Sequence, residues 1–234
     1  MAQKKLIRFA AIKTFNNVLE YPEDMAGKWA AHFGNNHPLV MELGCGRGEY
    51  TVSLAKLFAE KNFIGIDIKG NRIYIGAKKC IDEKITNAAF LRTQIALINQ
   101  YFSTGEVSEI WLTFPDPHLR TSRAKKRLTH PQFLRFYQQI LKPDGLLHLK
   151  TDSPQLYYFT KRVIELYGLQ LVEFTDDVQG GFVKEELKIK THYEALDIAG
   201  SNKIHYLKFK LNGNLPNIDK QLQEEIKLTE INKQ

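Results

Sequence analysis

Three glycines and two carboxylates are spaced for a site that holds a nucleoside. Gly44, Gly46 and Gly48 alternate directly after Glu42. Asp67 stands about 20 residues beyond them, the spacing at which an acidic side chain accepts both ribose hydroxyls of an adenosine. Glycines at such positions let the backbone turn sharply and approach a ligand closely. We therefore predict that this segment binds an adenosine-containing cofactor.

Glu42 narrows the choice of cofactor. A dinucleotide-binding loop would carry its third glycine where this chain has Glu49. A carboxylate beside the loop would also repel a pyrophosphate, whereas it suits a ligand with an amino group and a sulfonium. These features favour S-adenosylmethionine over NAD or FAD. The alternative is structural: Glu42 would be a charge at a strand edge, and Asp67 would cap a helix.

Asp116 lies in a conformationally restricted loop. It stands between Pro115 and Pro117, just after an apolar stretch that is typical of a core strand. Each proline fixes its own φ and limits the residue before it, so the loop should hold the carboxylate in one orientation. We predict a functional carboxylate here; the alternative is a tight turn with a solvated Asp.

A concentration of positive charge follows directly on this loop. Five cations lie in a short stretch without an acidic residue: Arg120, Arg123, Lys125, Lys126 and Arg127. The chain as a whole carries a formal charge of +7. Cations bind phosphates without reading sequence, and phosphate binding here would place RNA beside Asp116. A solvated run of charges is the alternative.

Strand-like and helical segments alternate between these residues. We predict seven strands, at 39–43, 62–67, 89–91, 109–114, 146–151, 169–174 and 204–211. We predict helices after the glycine loop and at 71–85, 131–141 and 154–167, with a turn at 142–145. This alternation predicts an α/β, Rossmann-like fold, with a mostly parallel seven-stranded sheet and helices on both faces. Ligands bind such sheets at the carboxyl ends of the strands.

The ends of the chain differ in composition from its middle. We expect one domain over 37–212, a basic N-terminal arm or helix over 1–36 and a polar tail over 213–234. No apolar run approaches the length of a membrane span, and Cys45 and Cys80 match neither a disulfide framework nor a metal-binding pair. We therefore expect a cytoplasmic protein with no metal and no membrane contact, although an acid-poor N-terminus is also typical of an organelle presequence. A monomer and a homodimer are both compatible with the sequence.

The proline loop and the basic stretch together resemble a known family. The segment FPDPHLRTSRAKKRL, from Phe114, resembles the signature and basic loop of bacterial tRNA (guanine-N7)-methyltransferases, which are class I methyltransferases. LKTD at 149–152 and THYE at 191–194 are similar to two later motifs, and KKLIRFA followed by NVLE resembles the opening of the family. The resemblance covers about residues 3 to 211. His118 and Arg120 depart from it, because the family usually has Trp and Lys there.

The resemblance implies methyl transfer from S-adenosylmethionine to N7 of a guanine in tRNA, at position 46 in the variable loop. It implies that tRNA is the partner and that the N-terminal arm contacts it. In addition to the glycine loop, it implies that four residues contact the cofactor: Glu42, Asp67, Gln94 and Asp116. It also implies that the following residues contact the substrate: Arg120, Asp152, Thr191, His192, Tyr193 and Glu194. The family commonly has Asp or Asn in place of Gln94, whose carbonyl can still accept a hydrogen bond from adenine.

Methyl transfer to guanine N7 demands positioning more than proton transfer. The nitrogen carries a lone pair and no proton, so the reaction needs no general base. A carboxylate close to the base would accept hydrogen bonds from its N1–H and amino group and would stabilise the positive charge that develops on the ring. We predict that Asp116 is this catalytic group.

Alternatives remain for individual residues and for the function. Asp152 could instead cap the helix that begins near Pro154, and a lone histidine in a loop, such as His192, is more often structural. The same fold serves small-molecule and protein methyltransferases, and a non-catalytic RNA-binding protein or complex subunit could retain it. The basic stretch argues against the former. The intact carboxylates argue against the latter.

Overall fold

The computed structural model describes residues 2–180, 183–191, 194, 203–211 and 213–231. Its strands are β1 (Val18–Glu20), β2 (Leu39–Leu43), β3 (Asn62–Asp67), β4 (Ala88–Arg92), β5 (Val107–Thr113), β6 (Leu141–Thr151), β7 (Gln170–Thr175) and β8 (His205–Lys210). Its α-helices are α1 (Ala2–Ile12), α2 (Trp29–Phe33), α3 (Glu49–Leu57), α4 (Gly70–Asp82), α5 (Pro131–Ile140), α6 (Pro154–Leu166), α7 (Glu185–Lys188) and α8 (Asp219–Ile231). Two 3-10 helices, Ile95–Gln100 and Thr121–Lys126, lie in the connections. His192 and Tyr193, two of the predicted substrate residues, lie outside the described residues.

The strands form one sheet in the order β1-β4-β3-β2-β5-β6-β8-β7. The pairs from β1 to β6 are parallel, and β8 lies antiparallel between β6 and β7. The predicted α/β fold with a mostly parallel sheet is therefore confirmed. The sheet has eight strands where seven were expected, because β1 pairs with β4 at the edge. Its three residues are too few to show the alternation by which a strand is recognised in sequence.

The direction of winding reverses at β2. Strands β3 and β4 lie on one side of it, and β5 and β6 lie on the other. In a parallel sheet such a reversal leaves a crevice outside the carboxyl ends of the two strands where it occurs, here β2 and β5. The glycine loop follows β2 and the Asp116 loop follows β5, so the two predicted sites meet at this crevice.

Both faces of the sheet are covered, which explains the mostly apolar runs in its central strands. All five residues of β2 are buried. Met41 and Leu43 pack in one core cluster with residues of α5 and α6, while Val40 packs in the other with residues of α3 and α4. A strand that is buried on both faces does not alternate apolar with polar residues, so it is recognised in sequence as a short, mostly apolar run.

Strand β6 contains the predicted turn at 142–145. The strand pairs Leu141 with Val107 and then Leu146 with Glu109, so that 142–145 leave the ladder. The first three of these four residues are exposed. The turn residues therefore form a bulge inside a longer strand, instead of separating a helix from a strand.

The first and last described helices, α1 and α8, each contact another helix of the fold. Helix α1 lies against α4, where a Cβ on Gly70 would come within 2.7 Å of Cδ1 of Ile12. Helix α8 buries Leu222 and is joined to α6 by the ion pair between Arg162 and Glu225, at 2.7 Å. The domain boundaries at 36 and 212 stay a prediction. Within the described segments, no helix has the length and apolar character needed to cross a membrane.

Candidate functional site

A cleft of about 900 Å³ opens at the carboxyl ends of β2 and β5. Leu43 and Gly44 line it from β2, the 114–119 loop lines it from β5, and 152–155 line it from the start of α6. Three cations also line it: Lys69, Arg72 and Lys126. The volume is within the range of about 300–1,000 Å³ that is common for ligand sites. The fold thus brings the glycine loop, Asp116 and Asp152 to one cavity.

The glycine loop follows a backbone path that other residues disfavour. Gly44, Gly46 and Gly48 have φ of 76°, 56° and 73°, in the left-handed region. A Cβ on Gly48 would lie 2.6 Å from Cε1 of Phe90, closer than real carbon atoms approach. A Cβ on Gly44 would meet nothing within 4 Å. The loop therefore packs tightly at Gly48 and leaves open space at Gly44, where it lines the cleft.

Asp67 is bound to the glycine loop from the end of β3. Its Oδ2 accepts a hydrogen bond from the N–H of Gly46 at 3.0 Å, and its Oδ1 accepts one from the N–H of Lys69 at 2.8 Å. The N-cap of α4 is Lys69, so the helix-capping alternative for Asp67 does not hold. The carboxylate is partly exposed. Fixed in this way, it retains lone pairs for ribose hydroxyls.

Two apolar residues that the sequence analysis missed follow strands β3 and β4. Ile68 is 46% exposed, and Ile95 lines the cleft. Gln94 is exposed and is the N-cap of the 3-10 helix that starts at Ile95. Of these three residues, Ile95 lines the cleft and offers apolar surface for a base, whereas Ile68 and Gln94 are not part of the lining. Contact of Gln94 with adenine stays a prediction.

Glu42 lies beneath the glycine loop and is satisfied by the protein. It belongs to the central strand β2 and is 4% exposed, so it is not a strand-edge charge. Its Oε2 accepts hydrogen bonds from the N–H of Thr51 at 2.9 Å and from the Thr51 hydroxyl, and its Oε1 accepts one from the Thr113 hydroxyl. Burial raises the pKa of Glu42 to about 7, although these hydrogen bonds act in the opposite direction. The carboxyl group therefore joins β2, α3 and β5 under the cofactor position.

The Asp116 loop combines a strained backbone with an exposed carboxylate. Phe114 and His118 have φ of 47° and 42°, a region that residues other than glycine seldom occupy. Oδ1 of Asp116 accepts a hydrogen bond from the N–H of His118 at 2.9 Å, which closes a tight turn over Pro117. The Asp116 side chain is 72% exposed, and it lines the cleft. Asp116 is thus both a residue of a tight turn and a residue of the cleft, the two roles that the sequence presented as alternatives.

Arg127 differs in position from the other predicted phosphate-binding residues. It is 5% exposed. Its Nε donates to the carbonyl of Pro117 at 3.1 Å, and its Nη2 donates to the carbonyl of His118 at 3.2 Å. Its guanidinium carbon lies 4.4 Å from the centre of the Phe159 ring, in a cation–π contact. Arg127 therefore supports the loop around Asp116 from within, and its burial corrects the prediction that it binds phosphate.

The remaining four cations form an exposed patch that we call the basic turn. Arg123, Lys125 and Lys126 lie in the 3-10 helix Thr121–Lys126, and Arg120 is its N-cap. All four side chains are exposed. Their exposure suits phosphate binding, which stays a prediction.

Ser153, and not Asp152, caps α6. The Ser153 hydroxyl oxygen accepts a hydrogen bond from the N–H of Leu156 at 3.3 Å. Asp152 lines the cleft one residue before the cap. The sequence allowed two roles for Asp152, as the cap of α6 or as a residue of the site. Because Ser153 is the cap, the first role does not hold. Contact of Asp152 with a substrate stays a prediction.

A buried lysine that the sequence analysis missed lies beneath the acceptor side of the cleft. Lys150, in β6, is 0% exposed. Its Nζ donates to the carbonyl of Ile189 at 2.7 Å and to Oε2 of Glu194 at 3.1 Å. Its own carbonyl accepts the N–H of Phe114 at 2.8 Å. Desolvation lowers the pKa of Lys150, with Glu194 acting in the opposite direction.

Lys150 therefore connects two predicted parts of the site. Through Phe114 it supports the start of the Asp116 loop, and through its ammonium group it is bound to Ile189 and Glu194. Within that segment, the Thr191 hydroxyl accepts the N–H of Glu194 at 3.2 Å. The available signal was a lysine at the end of the mostly apolar run 146–150, because a buried charge must be paired.

The residues of the site fit S-adenosylmethionine. Asp67 offers acceptor oxygens for the ribose, Ile95 offers apolar surface for the base, and the open space at Gly44 leaves room for the rest of the ligand. In the part of the chain that the structure describes, no group of three or more His, Cys, Asp or Glu side chains could hold a metal ion.

Known proteins resemble this chain over most of its length. The model of the family described as putative methyltransferase matches residues 36–207. The tRNA (guanine-N(7)-)-methyltransferase of Bacteroides thetaiotaomicron is 46% identical over 221 residues, which cover 90% of this chain and 87% of that protein. The one from Porphyromonas gingivalis is 48% identical over 213 residues, 86% of each chain. The crystal structure of the 16S rRNA methyltransferase KamB matches with a TM-score of 0.62 at 13% identity, over 84% of this chain and 99% of that one.

These similarities confirm the resemblance that the motifs carried. The structural match shows that the fold is the Rossmann-like fold of class I methyltransferases. The sequence matches extend well beyond the motifs, through the glycine loop, the Asp116 loop and the later strands. The chain therefore belongs to the tRNA (guanine-N(7)-)-methyltransferase family.

Proposed function

We propose that this protein transfers a methyl group from S-adenosylmethionine to N7 of a guanine in tRNA. The observation that carries the proposal is the meeting of three features at one cleft. They are the glycine loop, which lines the cleft with Gly44 and is bound by Asp67, the exposed carboxylate of Asp116, and the basic turn, which lines the cleft with Lys126. A small-molecule methyltransferase needs the first two features, and a non-catalytic RNA-binding protein needs only the third. Membership in the family supports the same reaction.

The cofactor side orients the methyl donor. S-adenosylmethionine supplies the methyl group. Asp67, held by two backbone N–H groups, accepts the ribose hydroxyls, and the Gln94 carbonyl accepts the adenine amino group. Glu42 lies beneath the loop, where its ionised form is favoured by a cationic ligand. Correct alignment of donor and acceptor supplies roughly 7–11 kcal/mol of barrier reduction, so the fixed geometry of this side is its main contribution.

The acceptor side orients the guanine and stabilises the charge that forms on it. N7 needs no deprotonation, so we assign no general base. Asp116 accepts hydrogen bonds from the N1–H and amino group of the base and stabilises the positive charge that methylation places on the ring. Both of its contacts with His118 use Oδ1. The preformed turn means that the carboxylate needs little reorganisation when the base binds.

The basic turn and the rim bind the rest of the nucleic acid. Arg120, Arg123, Lys125 and Lys126 bind phosphates beside the cleft, which adds affinity without reading sequence. Asp152 and the 191–194 segment, including His192 and Tyr193, contact the nucleotide that enters the cleft. The family resemblance supports position 46 in the variable loop as the target. A tRNA substrate also makes the cytoplasm the site of action.

The experiment that tests the proposal combines unmodified tRNA, S-adenosylmethionine and the purified protein. Chemical cleavage of the RNA at N7-methylguanine should then produce one break, in the variable loop. Asp116→Asn serves as the control for adventitious methylation. If the protein binds labelled cofactor but no cleavage appears in tRNA, the substrate assignment is wrong. If it binds tRNA without binding cofactor, the non-catalytic alternative is correct.

A further inference from the structure

A second groove lies beside the cleft, between the 119–127 segment, α6 and α8. Its volume is about 430 Å³, again within the range of about 300–1,000 Å³ for ligand sites. Leu119, Pro154 and Gln155 line both the groove and the cleft, so the two spaces are immediate neighbours. The groove has no place in the reaction proposed above.

The lining of the groove suits a flat ligand with polar edges. Phe159 and Leu222 are buried along it. Arg162 and Glu225 also line it, and they are joined by two hydrogen bonds, at 2.7 Å (Nε to Oε2) and 2.8 Å (Nη2 to Oε1). Apolar walls together with fixed donors and acceptors are the features that bind an unstacked nucleobase.

Two exposed apolar side chains at the groove favour RNA over a free small molecule. Leu119 is 58% exposed and Tyr158 is 60% exposed. An exposed aromatic ring beside a basic segment is the arrangement on which single-stranded bases stack. The basic turn begins directly after Leu119, so a polyanion bound to those cations lies next to the groove. The charge of the turn therefore complements the proposed occupant.

We propose that this groove binds the base of a nucleotide next to the methylated guanine, with Tyr158 as its stacking surface. The inference rests on the proposed function, because it needs tRNA in the adjoining cleft. Withdrawal of a guanine from its stack exposes the neighbouring bases, and a second base site holds one of them. Gln155, Arg162 and Glu225 then contact the edge of that base and influence which neighbouring base is preferred.

Substitution of Tyr158 tests the stacking surface. Tyr158→Ala should weaken tRNA binding about 5- to 150-fold, the range that corresponds to removal of one stacked base. Tyr158→Phe retains the ring and should bind tRNA as the unchanged protein does. Phe174→Ala is the matched control, because Phe174 is 54% exposed but lies on β7, outside the groove. Cofactor affinity, measured by calorimetry, should be equal in all of these proteins.

A fluorescent base locates the occupant. With 2-aminopurine on either side of the target guanine, emission at one of the two positions should be lower with the unchanged protein and Tyr158→Phe than with Tyr158→Ala. Equal emission and equal tRNA affinity would overturn the inference even while guanine N7 is methylated. Failure of the unchanged protein to methylate tRNA would overturn the proposed function instead. If Tyr158→Ala alters the oligomeric state and leaves tRNA binding intact, the groove binds a second copy of the chain, and the inference is also wrong.

Discussion

The cofactor side and the acceptor side of the cleft hold their carboxylates in opposite ways. On the cofactor side, Glu42 is 4% exposed and accepts three hydrogen bonds, while Asp67 is held by the N–H groups of Gly46 and Lys69. On the acceptor side, Asp116 is 72% exposed and uses one oxygen in its turn.

This difference follows from what each side binds. A small cofactor can enter a preformed pocket, so the protein can fix its carboxylates with its own hydrogen bonds before the cofactor binds. A base in RNA must arrive from solvent together with its backbone, so its partner has to be exposed. The acceptor side obtains its rigidity from beneath, through Arg127 and Lys150, because its own surface cannot be buried. A substitution on one side of the cleft should therefore leave ligand binding on the other side unchanged, and that binding is an internal control.

The largest expected effect comes from the buried support of the acceptor side. Lys150→Met leaves Glu194 without its cation, and removal of one partner from a buried pair lowers the free energy of unfolding by about 3–5 kcal/mol. Urea denaturation measures this change. Adding Glu194→Gln should restore part of the stability, because no unpaired charge remains. The exposed pair of Lys184 and Glu173 supplies the control, and equal stability of Lys150→Met and Lys184→Met would contradict the prediction.

Removal of the exposed carboxylate should affect the reaction and not the fold. Asp116→Asn keeps the shape of the side chain but lacks its charge, so methyl transfer should fall roughly 100- to 1,000-fold, or about 2.7–4 kcal/mol. Single-turnover rates at saturating tRNA and cofactor separate this decrease from binding. Asp144→Asn, which alters an exposed carboxylate in the β6 bulge, is the matched control. An unchanged rate for Asp116→Asn would make Asp116 a turn residue only.

The buried carboxyl group of Glu42 should make the free energy of unfolding depend on pH. The pKa of Glu42 is about 7 in the folded chain and 4.5 in an unperturbed carboxyl group, so the folded state binds the proton more tightly. Native stability from this group is therefore lost as pH rises from about 4.5 to 7. Glu42→Gln removes this pH dependence, so its unfolding free energy relative to the unchanged protein should rise by about 3 kcal/mol over that window. A constant difference across pH would show that folding does not raise the pKa of Glu42.

A smaller effect is expected at the ribose position. Asp67→Ala removes a charge-assisted acceptor worth roughly 1.5–3 kcal/mol, so the cofactor should bind about 10- to 150-fold more weakly. Calorimetry measures this affinity, and tRNA binding should be nearly unchanged. Asp82→Ala, at the other end of α4, provides the comparison. Parallel decreases in cofactor and tRNA affinity would indicate misfolding.

The smallest effect concerns the salt dependence of tRNA binding. Replacement of both Lys125 and Lys126 by Ala should reduce the slope of log K against log salt by about 0.7–0.9 for each of the two cations that binds a phosphate. Lys78 and Lys79, an adjacent exposed pair on α4, give the matched double variant. If the two double variants have the same slope, the basic turn is a solvated surface.

Local sequence was sufficient for the parts of the site that lie at strand ends. Strands β2 and β3 begin and end at the predicted residues, since each is a short apolar run that stops at a loop. Parallel strands bring their carboxyl ends to one edge, so Asp67 and Asp116 could be assigned to the same site before any contact was known. The glycine spacing, the two prolines and the cluster of cations are likewise local features.

Tertiary structure alone decided how each of those side chains is used. Arg127 and Lys126 are adjacent and alike in charge, yet one is buried against the carbonyls of Pro117 and His118 and the other is exposed at the cleft. Lys150 finds its partner Glu194 44 residues away, and the groove at Tyr158 exists because α8 packs beside α6. Periodicity records which face of an element is apolar, but burial and pairing depend on distant segments whose placement no local pattern contains.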